Sequence, residues 1–74
     1  MIQELDRVIL TTNIPESSLK QGDIGTVVLV HQNRQGYEVE FMTLDGETVA
    51  VISLSSEQVR SIDSKKIARV RVLD

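Results

Sequence analysis

Three groups of residues in this chain have types and spacings that chemistry can use. Gly22, Asp23 and Gly25 stand in "SLKQGDIGTVVLV", at the mouth of an apolar, mostly β-branched run. Glycines this close either let backbone N–H groups hold a phosphate or let a chain turn sharply into a sheet. Glu38 and Glu40 in "YEVEFM" are two positions apart, the spacing that puts two carboxylates on one face of a strand for acid–base work or cation binding. His31 is the one histidine of the chain, and as a general base it needs a nucleophile within reach.

Each group has a plainer role that fits better. A phosphate loop requires a Lys-Ser or Lys-Thr pair and a following helix, whereas Gly25 leads into "TVVLV", which is strand. Gly22 is therefore expected to turn the end of a loop, Asp23 to tie nearby N–H groups through its carboxylate, and Gly25 to let a bent strand pass close to its neighbour. With no cysteine in the chain, His31 has no thiol to activate, and its place at a strand end reads as a partly exposed surface residue. Glu38 and Glu40 read as a solvent-side pair that keeps a small domain soluble, since no third ligand or perturbing partner can be named. No catalytic residue, metal ligand or cofactor is expected, and the chain does not read as an enzyme.

The elements that position these residues follow from hydrophobic period. "YEVEFM" alternates cleanly, with Tyr37, Val39 and Phe41 on one face and Glu38, Glu40 and Met42 on the other. "DRVILT" sets Val8 and Leu10 opposite Arg7, and "ETVAVISL" is apolar on both faces from Val49 to Leu54. Between the last two strands of the middle region, Asp45-Gly46 signals a two-residue hairpin of type I′, which needs positive φ at both positions. Ser55 and Gln58 in "SSEQ" have capping-box spacing over a single turn, and "VRSI" resumes a short strand. Strand, long loop over about 12–22, strand, hairpin, strand, hairpin, strand, single turn and short strand is the order of an all-β, five-stranded SH3-like barrel.

Length and charge bound the rest. Seventy-four residues make one domain, which buries only about 60–65% of its unfolded surface. Residues 1–63 are expected to form the barrel and residues 64–74 a basic C-terminal tail. Lack of cysteine fits a reducing cytoplasm, and no apolar run suits a secretory signal or a bilayer span, so no membrane partner is expected. Met1–Val59 holds three basic residues against nine acidic ones, a formal charge of −6, while Arg60–Asp74 holds five against two, a charge of +3. An acidic body repels a phosphate backbone, which disfavours nucleic acid as its ligand.

The stretch "GDIGTVVLV" followed by "YEVEF" resembles the Gly-Asp-x-Gly-x-Val element of many SH3-like modules, among them the KOW segments of ribosomal and transcription-elongation proteins and small barrel subunits docked on photosystem I. More closely, "LDRVILTTNIPESSLKQGDIGTVVLV" with "YEVEFMTLDGETVAVISLSSEQVR" resembles a family of short bacterial proteins, domain of unknown function 4926, over about residues 5–62. The resemblance implies the barrel and carries over no catalytic residues. The tail "DSKKIARVRVLD" lies outside it.

What is left is a binding module. A polyproline groove requires clustered aromatics, and Tyr37 and Phe41, the two aromatics present, fall on the core face. Candidate partner surfaces are Ile14-Pro15 in the long loop, the acidic face of Glu38 and Glu40, and the tail. In the tail, Ala68, Val70 and Val72 alternate with Arg69 and Arg71 in the manner of a strand. Such a strand needs a partner: the barrel's own edge, a second copy in a homodimer, or another protein. The expected function is non-catalytic protein binding, as a small partner or antitoxin-like inhibitor of a co-encoded protein. The competing class is a KOW-like nucleic-acid or ribonucleoprotein module, supported by the basic tail and opposed by the acidic body.

Overall fold

The computed structural model describes residues 2–33 and 35–62. Five strands form one antiparallel sheet: β1 (Arg7–Leu10), β2 (Ile24–Val30), β3 (Gly36–Met42), β4 (Thr48–Ser55) and β5 (Val59–Ser61), with a short 3-10 turn at Pro15–Ser17. Their order across the sheet is β4-β3-β2-β1-β5. The all-β architecture and the chain order of strands agree with the sequence expectation. Among the described residues β4 and β5 are the two ends of the sheet and do not pair with each other.

One apolar face of a single sheet needs cover, and the described residues include no helix to supply it. The sheet curls on itself instead. Val8 and Leu10 of β1, Val27 of β2, Tyr37, Val39 and Phe41 of β3, Leu54 of β4 and Val59 of β5 meet in one buried cluster. The alternation read in "YEVEFM" is the one observed, with Tyr37, Val39 and Phe41 inside. Two irregularities bend the strands: the β2–β3 register shifts between Val27 and Leu29, and the β3–β4 register shifts between Phe41 and Met42.

Gly25 lies under the side chains of β3. It pairs with Val8 on β1, and a Cβ there would lie 2.5 Å from Cγ1 of Val39, 2.8 Å from Cε1 of Phe41 and 3.0 Å from the carbonyl oxygen of Glu40. Only a residue without a side chain leaves room there for Val39 and Phe41 to fold over β2. Gly22 has φ +96°, a left-handed turn at the end of the long loop. Its N–H donates to the Leu10 carbonyl at 2.9 Å, and the Lys20 N–H donates to Oδ2 of Asp23 at 2.9 Å.

The long loop is more tied than a solvated connection. The N–H of Ile14 donates to the Leu19 carbonyl at 2.8 Å, and the Leu19 N–H returns to the Ile14 carbonyl at 3.1 Å. Leu19 is buried in the core, and Ile14, expected to be exposed beside Pro15, is half-buried against that core; Pro15 itself is exposed. Thr11 joins the loop to the turn before β5, through its N–H to the Gln58 carbonyl and its hydroxyl to the Glu57 carbonyl, each at 2.9 Å. Within that turn the Ser55 N–H donates to Oε1 of Gln58 at 2.9 Å, the backward half of a capping box.

The β3–β4 hairpin differs in type from the expected one. Gly46 has φ +89° while Asp45 does not have positive φ. The Gly46 N–H donates to the Thr43 carbonyl at 3.0 Å and the Thr43 N–H to the Glu47 carbonyl at 2.9 Å, the arrangement of a turn closed by one left-handed residue rather than a two-residue I′ loop. The Thr43 hydroxyl donates to Oδ1 of Asp45 within the same turn.

Two substitutions test this account. Gly25→Ala is expected to destabilise the fold by about 1–3 kcal/mol through overpacking against Val39 and Phe41, read as a lower urea midpoint at unchanged slope. Parental stability would show that β2 does not need the close approach. Leu19→Ala is expected to cost about 2–5 kcal/mol in the same assay, because it empties a buried site under the loop.

Candidate functional site

The outer face of β2, β3 and β4 gathers most of the residues that could act on another molecule. Register places Thr26, Glu40 and Val51 in one cross-strand row, Leu29, Glu38 and Ser53 in the next, and Met42 opposite Thr48. Val28 is the residue skipped by the β2–β3 register shift, and the bulge leaves both Val28 and Leu29 exposed. Val51 and Met42 are about half exposed, at 53% and 48%. The face is thus a mixture of carboxylate, hydroxyl and exposed apolar groups, and none of these three strands contains Lys or Arg. Arg7, exposed on β1 opposite Thr26, borders it.

Two carboxylates are built into this face with donors around them. Oε2 of Glu38 accepts from the Ser53 hydroxyl at 2.5 Å and from Nε2 of His31 at 2.7 Å. Oε2 of Glu40 accepts from the Thr48 hydroxyl at 2.8 Å. The Ser53 bond above all, and then His31, hold the Glu38 carboxyl below its ordinary range. His31 is held from its other side by Gly36: a Cβ on Gly36 would lie 2.5 Å from Nδ1 of the imidazole. The β2–β3 loop closes at that same point, where the His31 N–H donates to the Gly36 carbonyl at 3.0 Å.

The cluster of Ser53, Glu38 and His31 has the residue types of a hydrolytic triad in the wrong order. A nucleophilic serine gives its proton to an imidazole that a carboxylate orients. Here the carboxylate lies in the middle and takes the serine's hydrogen bond itself. The arrangement anchors a hairpin end and fixes the direction of a carboxylate. Among the described residues no three His, Cys, Asp or Glu side chains come together as a metal-binding group.

Glu38 and Glu40 are therefore together on one face. Ile14 and Pro15 are in the long loop, with Ile14 turned toward the core. Gly22, Asp23 and Gly25 line the entrance to β2, and Asp45 and Gly46 form the β3–β4 tip beside the exposed Leu44. Arg69, Val70, Arg71 and Val72 lie outside the described residues. The hydrogen bond between His31 and Glu38 was not legible in the linear order. Its signal is the hairpin register, which brings position 31 back over position 38 only when the loop closes at Gly36. Among the described residues no helix is long and apolar enough to cross a membrane.

The family model of the Domain of unknown function (DUF4926) matches residues 4–61, which span all five strands and the outer face. Neither the curated proteins nor the solved structures include a match to the chain.

The Glu38 bonds have a pH signature. A carboxyl held below its unfolded value of about 4.3 contributes stability that is complete above that value and is lost as pH falls through the lower folded one. Glu38→Gln is expected to lower the urea midpoint at neutral pH and to converge on the parent as pH falls below the folded value. A gap that stays constant over the whole range would show that ionisation of Glu38 contributes nothing.

Proposed function

The chain belongs to the DUF4926 family, and we propose that this member is a non-catalytic protein-binding module whose outer β2–β3–β4 face docks on a basic, partly apolar surface of another protein. The observation that carries this reading is the composition of that face: Glu38 and Glu40 fixed by hydroxyl and imidazole donors, with Val28, Leu29, Met42 and Val51 exposed around them and no cation in the three strands. Exposed apolar groups gathered on one face mark interaction surfaces, and fixed charges give such a surface its choice of partner and its rate of encounter.

The same features argue against a phosphate backbone as ligand, which would meet two carboxylates where it needs cations. They also suit a small partner or antitoxin-like inhibitor of a co-encoded protein, since an inhibitor of this size works by covering a surface and needs no chemistry of its own. A cytoplasmic site of action belongs to the same proposal and is supported by a chain without cysteine.

Immobilised full-length protein, exposed to lysate of its native cell with and without nuclease, tests the proposal when the parent is compared with a Glu38→Lys, Glu40→Lys double variant of verified fold. A protein should be retained after nuclease, lost with the double variant, and weakened at least about tenfold by added salt. Retention that depends on intact nucleic acid would replace this reading by the nucleic-acid one. Retention indifferent to the charge reversal would remove the face from the interface.

A further inference from the structure

We propose that Leu5, at the β1 border of the docking face, is its anchor: an exposed side chain that enters an apolar pocket with a lysine or arginine rim on the partner protein. The proposal rests on the reading of that face as a protein-binding surface and names the residue on which its affinity turns.

Leu5 has φ +74°, in the left-handed region that a bulky side chain rarely adopts. The backbone bonds show why the position demands it. Gln3–Asp6 is a four-residue turn closed by the Asp6 N–H on the Gln3 carbonyl at 3.1 Å, with Leu5 in the third place. Glycine or asparagine ordinarily fills a left-handed third place. The Leu5 N–H then donates to the Val27 carbonyl at 2.7 Å, and the Val27 N–H donates to the Asp6 carbonyl at 2.9 Å. Leu5 and Asp6 thus oppose the single residue Val27, a β-bulge of the kind whose first residue is a left-handed glycine. A leucine there costs backbone energy, and at 79% exposure it returns little of it through this chain's own core.

The surroundings give that side chain a use. Its bond to the Val27 carbonyl sets Leu5 beside the peptide that leads to Val28, the residue skipped by the β2–β3 register shift. One bulge toward β1 and one toward β3 therefore meet at Val27 and Val28. Around them Val28 and Leu29 join Leu5 as exposed large apolar residues, at 40% and 48%, and apolar groups gathered in this way mark interaction surfaces. Carboxylates stand on both sides of the group. Glu4 and Asp6 are exposed next to Leu5 in the chain, and Glu38 pairs across from Leu29. Arg7, also exposed, lies beyond Asp6 in the row of Thr26. A complementary surface is apolar at its centre and cationic at its rim, and strain kept at a surface residue is the mark of a ligand contact rather than of a core.

Substitutions at position 5 separate the backbone from the side chain. Leu5→Gly relieves the left-handed strain and should raise the urea midpoint, whereas Leu5→Ala keeps the strain, trims an exposed group and should leave the midpoint as in the parent. Binding is read by titrating full-length parent and variants with the protein that the immobilised parent retains from lysate after nuclease, once that protein is identified and purified. Both variants should weaken the complex at least about tenfold, the loss expected when a leucine gives up its pocket. Leu5→Met, close to it in volume, should restore most of the affinity. A midpoint lowered by Leu5→Ala would show that the side chain is covered within the chain and would overturn the proposal. Affinity unchanged by Leu5→Ala but lost in the Glu38→Lys, Glu40→Lys double variant would overturn the anchor and leave the docking face intact. Retention of no protein at all would overturn the face and its anchor together.

Discussion

The fold depends on one close approach. A five-stranded sheet with no second layer among the described residues keeps its apolar face dry by folding its own side chains over it, and β2 must leave room for those of β3. Gly25 against Val39 and Phe41 is where this happens. Val8, Val27 and Val39 are sealed from solvent as a result, and burial of such side chains is worth about 1.5–3 kcal/mol each. In a domain this small few other sources of stability exist, so a site that would disturb Val39 and Phe41 of that core matters to the whole fold.

The same curvature creates the outer face. On a pleated strand each inward residue alternates with an outward one, so packing Tyr37, Val39 and Phe41 inside obliges Glu38 and Glu40 to stand outside. Both are only half-exposed, and charges in such a setting need donors. Ser53, Thr48 and His31 supply them. These donors hold the two carboxylates in fixed directions on the outer face. The bulge at Val28 then turns two consecutive apolar residues outward beside them. In this cluster the carboxylate, not the imidazole, reaches the serine hydroxyl, the reverse of the order in a hydrolytic triad.

Much of this was legible in residue order wherever the cause is local. Alternation in "YEVEFM" follows from the pleat alone, and Gly22 and Gly25 follow from the demands of a loop end and a crowded strand. Asp45-Gly46 correctly marked a hairpin but not its type: Gly46 is the single left-handed residue of the turn, and the Thr43 hydroxyl donates to the Asp45 carboxylate within it. Ile14 and Leu19 sit among polar neighbours that gave no period, and their role comes from a backbone bridge five residues apart that folds the loop onto the core.

The sequence by itself determined the strands, their faces, the glycine turns and the charge imbalance, since each arises from backbone geometry or side-chain type within a few residues. Tertiary structure alone decided the register of every pair and the neighbours beyond the hairpin that Asp45-Gly46 marked. It thereby decided that β4 has a free edge among the described residues, that Val28 and Leu29 both face outward, and that His31, Glu38 and Ser53 meet. The physical reason is that pairing across a sheet is a contest among all possible registers, settled by the burial of the whole inner face at once. No short stretch of this chain contains that information.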